Sequence, residues 1–97
     1  MSYGIVLRFE GVSEDDYWAV NSKLGIGPDG SGDWPEGMKS HVAGPTPDGW
    51  VVIEIWESKG AQEAFMANRL GAALGAVGLP APAQIIETDT VNEHTGS

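Results

Sequence analysis

The sequence contains no cysteine, and this absence removes several kinds of chemistry. Without thiols the chain forms no disulfide, has no thiolate nucleophile and binds no metal through sulfur. A transition-metal site would then need a second imidazole near the first. The chain has only two histidines, His41 and the distant His94. We therefore predict no metal site and no cofactor.

Basic residues are also scarce, with 5 lysines and arginines against 14 acidic residues and a formal net charge of −9. Such a surface repels phosphate backbones and anionic lipid headgroups, so neither nucleic-acid binding nor membrane binding is expected. Long apolar runs are missing too. The first run stops at Arg8, and no stretch of about 18 apolar residues could span a membrane. A cytoplasmic location is the resulting expectation.

The residues that are present alternate or recur with clear periods. Ser13 to Asp16 reads as a capping box that starts a helix. Glycine and proline mark a loop over 25–37 and a hairpin turn over 44–49. The predicted elements are a strand at 3–10, a helix at 14–24, strands at 38–43 and 50–57, a helix at 59–77 and a strand at 83–90. One domain over residues 1–90 and a flexible polar tail over 91–97 are predicted.

The order βαββαβ predicts a ferredoxin-like α+β fold, in which the first and third strands lie centrally in an antiparallel-rich four-stranded sheet. Both helices would cover one face. On the third strand, Val51, Ile53 and Ile55 form one side, which suits packing beneath the helices. The other side bears Trp50, Glu54 and Trp56, and its tryptophans would be costly to leave in water. A second copy of the chain, a ligand or both would cover them, so a homodimer is predicted.

Several segments carry a resemblance to a known family: residues 3–10, residues 41–44 with 49–58, and Ala-Phe-Met-Ala-Asn-Arg-Leu at 64–70. The most telling phrase is a strand that ends in Trp-Glu-Ser and leads into a helix with Ala-Phe. The chain resembles the dimeric α+β barrel superfamily, which includes antibiotic-biosynthesis-monooxygenase-like proteins, and especially its small actinobacterial-type members. The resemblance implies a homodimer whose sheets meet as a barrel, with a pocket in each subunit between sheet and helices.

Two residues are candidates for catalysis. His41 lies on the second strand and could act as a general base near neutral pH, although a structural hydrogen-bonded role is an alternative. Glu54 lies between two tryptophans, and a carboxylate in apolar surroundings can serve as acid or base. The alternative for Glu54 is an ion pair with Arg8 on the neighbouring strand, and such a pair could also bind a polar ligand.

Three tryptophans, Trp34, Trp50 and Trp56, could bind a flat aromatic ligand. Trp34 is the stronger ligand candidate because it lies in a loop, whereas Trp50 and Trp56 would suit a dimer interface equally well. One hypothesis is a small-molecule-binding protein, with cofactor-independent, monooxygenase-like chemistry on an aromatic metabolite. The alternative is a non-catalytic dimeric binding or stress-response domain, so whether the protein is an enzyme stays open.

Overall fold

The computed structural model describes residues 2–94 of the chain. Its four strands and its helical segments follow the predicted order. They are β1 (Tyr3–Glu10), α1 (Glu14–Leu24), β2 (Met38–Thr46), β3 (Gly49–Trp56), α2 (Lys59–Phe65), a π-helical segment (Met66–Leu70), α3 (Gly71–Val77) and β4 (Gln84–Asp89).

The sheet has the strand order β2-β3-β1-β4, and every neighbouring pair is antiparallel. The prediction that the first and third strands are central is confirmed. So is the ferredoxin-like α+β fold, because α1 and the segments α2–α3 pack on one face of the sheet over its buried side chains. Burial of that apolar face against helices is the main stabilising term of such a layered fold.

The prediction of which β3 face lies beneath the helices is wrong. Trp56 is 0% exposed and Trp50 is buried, whereas Ile53 on the opposite face is 43% exposed. The register explains this result, because it places Trp50 beside Phe9 and Trp56 beside Tyr3, whose side chains point into the core. The tryptophans bury the larger apolar area, and the helices of the same chain cover them.

Helix α1 has the predicted bounds, and its start and end are determined by local hydrogen bonds. The Ser13 hydroxyl accepts from the Asp16 amide at 3.2 Å, and the Asp16 carboxylate accepts from the Ser13 amide at 3.1 Å. This reciprocal pair satisfies two amides that would otherwise lack partners at the helix start. Gly25 ends the helix in a left-handed conformation with φ of 82°.

The β2–β3 hairpin is tighter than predicted. Strand β2 continues to Thr46 and β3 begins at Gly49, so the turn contains only Pro47 and Asp48. Pro45 is tolerated within β2 because β2 is an edge strand of the sheet. Gly49 is required by close packing, since a Cβ there would lie 2.0 Å from the carbonyl oxygen of Phe9.

The second predicted helix, residues 59–77, contains the π-helical segment between α2 and α3. π-Helical turns are rare and occur often at functional sites. Strand β4 covers 84–89, one residue shorter at each end than predicted. Among residues 2–94 no helix is long and apolar enough to cross a membrane.

The loop over 25–37 is folded back on itself. Ile26 pairs with Gly32 in an isolated bridge, and the Gly27 amide donates to the Ser31 carbonyl at 2.7 Å. The division into a domain at 1–90 and a tail at 91–97 stays a prediction. Within that tail, residues 95–97 lie outside the described residues.

Candidate functional site

A cavity of about 50 Å³ lies between the inner face of the sheet and the helices. Most of its wall is aliphatic or aromatic, with side chains from β1, α1, β3 and the segments α2–α3. The side chains with hydrogen-bonding groups in this wall are Tyr17, Asn21, Trp34, His41, Trp50 and Glu54. A few polar groups in an apolar concave wall are the usual composition of a small-molecule site.

A continuous chain of hydrogen bonds links three side chains of the cavity wall to Trp56, which lies behind that wall. The Tyr17 hydroxyl lies 2.6 Å from Nε2 of His41, and Nδ1 of His41 lies 2.8 Å from Oε2 of Glu54. On its other oxygen, Glu54 accepts a hydrogen bond from Nε1 of Trp56 at 3.0 Å. We call this chain, Tyr17–His41–Glu54–Trp56, the relay.

The backbone explains why these residues meet. His41 and Glu54 are directly opposite each other in the β2–β3 register, so their side chains share the inner face. Trp56 is two residues after Glu54 on the same strand and therefore lies on the same face. Tyr17 reaches the relay from α1, which packs across that face and ends in the core with Val20 and Leu24.

The donors and acceptors of the relay have a defined direction when Glu54 is ionised. Because an indole nitrogen only donates, Trp56 occupies one carboxylate oxygen of Glu54. The other oxygen accepts from Nδ1–H of His41, which leaves Nε2 of a neutral imidazole as an acceptor for the Tyr17 hydroxyl. The relay therefore presents a general base, with a buried carboxylate behind it to stabilise the imidazolium.

The cavity changes the acidity of Tyr17. Burial raises the pKa of the Tyr17 hydroxyl, and the negative charge of Glu54 raises it further, while a hydrogen bond from Asn21 acts in the opposite direction. Tyr17 therefore stays protonated at neutral pH and donates to His41. Asn21 lies one turn further along α1 and is buried in the cavity wall.

The three candidate tryptophans occupy different positions. Trp34 lies at the cavity, with its ring centroid 5.4 Å from that of His41, and it is partly exposed. Trp50 is buried in the wall with its ring centroid 5.1 Å from that of Tyr17, and its Nε1 has no hydrogen-bond partner among residues 2–94. Trp56 lies behind the wall, where it packs against Phe65 and bonds to Glu54.

Arg8 lies on the other side of the sheet, so the predicted ion pair with Glu54 is wrong. In the β1–β3 register Arg8 faces Val51, whereas Glu54 faces Ile5, one step out of phase. Arg8 instead pairs with Asp48 at 2.7 Å, and this hydrogen bond lowers the pKa of the Asp48 carboxyl. Arg8 is not among the residues that line the cavity.

Sequence reasoning placed Trp34, His41, Trp50 and Glu54 at a common site, and the structure brings all four to the cavity. It missed Tyr17 and Asn21, which lie on the first helix and also line the cavity. The available signal was their spacing, because two polar groups four residues apart on a buried helix face need partners. Among residues 2–94 no group of three or more histidine, aspartate or glutamate side chains is arranged to bind a metal ion.

No protein-family model matches this sequence, and no curated protein has a significantly similar one. Solved structures with a similar fold include two proteins of comparable length. A protein from Chloroflexus aurantiacus J-10-fl, provisionally named as an antibiotic biosynthesis monooxygenase, superposes with a TM-score of 0.67 at 20% identity, over 98% of each chain.

The Mycobacterium tuberculosis protein Rv0793 superposes with a TM-score of 0.62 at 20% identity, over 98% of this chain and 100% of the other. These likenesses confirm that the chain has the predicted α+β fold, which it shares with both proteins. At this identity they show the fold alone, and the chemistry has to be argued from the residues of the site.

Proposed function

We propose that this protein binds a small aromatic metabolite in the cavity and oxidises it without a cofactor, as a monooxygenase-like enzyme. The observation that carries the proposal is the relay, a Tyr–His–Glu arrangement at the wall of a mostly apolar cavity. The name of the Chloroflexus protein supports the same class of reaction. An apolar site with a single base is suited to removing a proton from an aromatic substrate.

The chemistry assigns each residue a role. The Tyr17 hydroxyl oxygen takes a proton from an acidic C–H or O–H group of the bound substrate as its own proton passes to Nε2 of His41. Glu54 stabilises the imidazolium that results, and it does so more strongly because it is buried. The electron-rich substrate anion then reacts with O₂. A CH₂ group plus O₂ gives a carbonyl group plus water, so the substrate itself supplies the electrons.

The test combines a binding measurement with oxygen uptake. Phenol and 2-naphthol serve as one-ring and two-ring probes of binding by thermal shift. The ketones 1-indanone and anthrone, each with an acidic CH₂ group, are the probes for O₂ consumption. We expect His41→Ala and Glu54→Gln to lower the rate of oxygen uptake by about 10²- to 10⁴-fold, as loss of a positioned base does, while the probes still bind. Arg8→Gln is the matched control, because Arg8 lies on the opposite face of the sheet.

The outcomes separate the two candidate functions. Binding without oxygen uptake by any variant would favour a non-catalytic dimeric binding domain. Failure of all four probes to bind to the wild-type protein would refute a pocket for aromatic ligands.

We propose further that the protein is a homodimer that pairs through the outer face of its sheet. An apolar row crosses all four strands of that face in register, formed by Val42, Ile53, Val6 and Ile86. Three members of the row are exposed in the single chain, namely Val42, Ile53 and Ile86. A contiguous apolar row of this kind indicates a protein interface, and sheet-to-sheet pairing would bury it.

Two adjacent residues of β4 provide a matched test of the dimer. Ile86 belongs to the outer row and is 52% exposed, while Ile85 points to the inner face and is 49% exposed. We expect Ile86→Lys to weaken the dimer by at least tenfold in analytical ultracentrifugation, because it would bury a charge, and Ile85→Lys to have little effect. A wild-type protein that is monomeric at about 100 µM would rule the proposal out.

A further inference from the structure

The cavity is too small, as it stands, for the ligand that the proposed function requires. Its volume is about 50 Å³, whereas a cavity that holds a benzene ring measures roughly 150 Å³. A ligand with one aromatic ring can therefore bind only if part of the wall moves. The identity of that part follows from the exposure and the contacts of the wall residues.

Trp34 is the exposed side chain in the cavity wall, since every other lining residue is buried or half-buried. It lies at the end of a segment, residues 27–34, that is exposed or half-exposed throughout and is flanked by the buried residues Ile26 and Pro35. The segment is tied together internally, because Nε1 of Trp34 donates to the Gly30 carbonyl at 2.8 Å. Backbone contacts also join it to the residues that follow α1, because the Asp33 amide donates to the Gly25 carbonyl at 2.9 Å and Gly32 pairs with Ile26. The segment therefore moves as one unit about this hinge.

Arg69 connects this segment to the helices. Its Nη2 donates to the Asp33 carbonyl at 2.9 Å and lies 3.3 Å from the Asp33 carboxylate. The same nitrogen donates to the Leu24 carbonyl at 2.8 Å, at the other end of the loop. Among residues 2–94, Arg69 makes all the side-chain hydrogen bonds that join residues 27–34 to another part of the fold.

Arg69 belongs to the π-helical segment, which positions its side chain beside the cavity wall. The guanidinium lies 5.6 Å from the ring centroid of Phe65, which lines the cavity. The contact over Phe65 places the guanidinium between the cavity wall and the loop. The Arg69 side chain therefore contacts both the segment 27–34 and the cavity wall behind it.

We propose that residues 27–34 are a lid on the cavity, that Trp34 is the size filter for ligands, and that Arg69 is the latch that keeps the lid closed. This inference rests on the proposed function for its ligand. It also narrows the ligand class: among residues 2–94 no lysine or arginine lines the cavity, so an anionic ligand would bury its charge without a partner. A one-ring phenol needs only a displacement of Trp34, whereas a two-ring phenol needs the latch to open.

The first test needs no ligand. The protein is labelled with 5-fluorotryptophan, and the four ¹⁹F resonances are assigned by single Trp→Phe variants. In Arg69→Gln we expect the Trp34 resonance to shift and to show a larger H₂O/D₂O isotope effect, with Trp50 and Trp56 unchanged. Arg8→Gln is the control, since both arginines are ion-paired and their side chains are 33% and 31% exposed.

The second test measures the rate of ligand binding by stopped flow. We expect 2-naphthol to associate on the order of tenfold faster with Arg69→Gln than with the wild-type protein, as loss of a charge-assisted hydrogen bond at a partly exposed site would produce. Phenol should gain less. Asp33→Asn removes only the carboxylate contact and should give a smaller effect in the same direction, and it replaces Arg69→Gln if that variant does not fold.

Two results would overturn the lid. One is an unchanged Trp34 resonance in Arg69→Gln and Asp33→Asn, and the other is an equal change in Arg8→Gln. If none of the four probes binds to the wild-type protein, the proposed function fails instead, and the fluorine spectrum alone decides whether Arg69 holds the lid.

Discussion

The relay makes a sharp prediction for Glu54→Gln, because its donors and acceptors leave no freedom of orientation. Nε1 of Trp56 only donates, so the amide oxygen of the new glutamine must turn toward Trp56. The amide NH₂ group then faces Nδ1 of His41, which has to become an acceptor. Consequently the proton of the imidazole moves to Nε2, and His41 donates to Tyr17 where it previously accepted. The variant keeps the number of hydrogen bonds and reverses the direction of the relay.

The effect on stability follows from the same contacts. Two charge-assisted hydrogen bonds become neutral ones, a loss of about 1 kcal/mol each at a buried site. Burial of a neutral amide in place of a carboxylate offsets part of that loss. We expect the free energy of unfolding to fall by about 1–2 kcal/mol, which lowers Tm by roughly 5–15 °C in a domain of this size.

The tautomer of His41 is the decisive measurement. Two-bond ¹H–¹⁵N correlation spectra distinguish Nδ1–H from Nε2–H, and the chain has only one other histidine, His94, to assign. We expect Nδ1–H in the wild-type protein and Nε2–H in Glu54→Gln, with His94 unchanged between the two. If the proton stays on Nδ1 in the variant, the donor–acceptor reasoning for the relay, and with it the assignment of His41 as a base, is refuted.

Two further predictions concern the fold. Burial and the neighbouring Glu87 raise the pKa of Tyr3, so the native state keeps a proton that the unfolded chain loses near pH 10. The contribution of Tyr3 to the free energy of unfolding is complete below pH 10 and falls by up to about 1.4 kcal/mol per pH unit above it. Urea titrations should therefore show a weaker loss of stability at alkaline pH in Tyr3→Phe than in the wild-type protein. Gly49→Ala would place a Cβ 2.0 Å from a backbone oxygen and should lower the free energy of unfolding by about 1–3 kcal/mol. In Gly44→Ala, on the same hairpin, the new Cβ would have no atom within 4 Å, so the loss should be less than half as large. Equal losses for the two variants in chemical denaturation would contradict this explanation.

Much of the fold could be predicted from local chemistry. The alternation in residues 3–10 determines β1, and the capping box at Ser13 to Asp16 determines the start of α1. Both signals depend only on residues that are close in sequence, so both elements were predicted correctly. The length of β2 was not, because Pro45 indicates a turn when read alone. Its tolerance depends on β2 being an edge strand, which is a property of the assembled sheet.

The orientation of β3 was mispredicted for a related reason. A period of two identifies two faces and does not say which one is inside. The aliphatic face of Val51, Ile53 and Ile55 looked suited to the core, but the choice depends on the register with β1, where Trp50 and Trp56 meet buried residues. Glu54 is accepted on the inner face because His41 and Trp56 satisfy both of its oxygens, one contact from β2 and the other from β3.

The burial of Trp50 and Trp56 beneath the helices separates the inference of a dimer from the inference of a pocket. In the sequence, Trp50 and Trp56 supported both a dimer and a pocket, so neither conclusion could be tested without disturbing the other. In the structure the tryptophans belong to the core and the cavity, while the aliphatic row through Ile53 and Ile86 lies on the opposite face of the sheet. A substitution at Ile86 therefore tests dimerisation with the relay intact, and a substitution at His41 tests the relay with the outer face intact. If the two nevertheless prove coupled, with Ile86→Lys altering ligand binding, the coupling must pass through the sheet itself, since no side chain belongs to both surfaces.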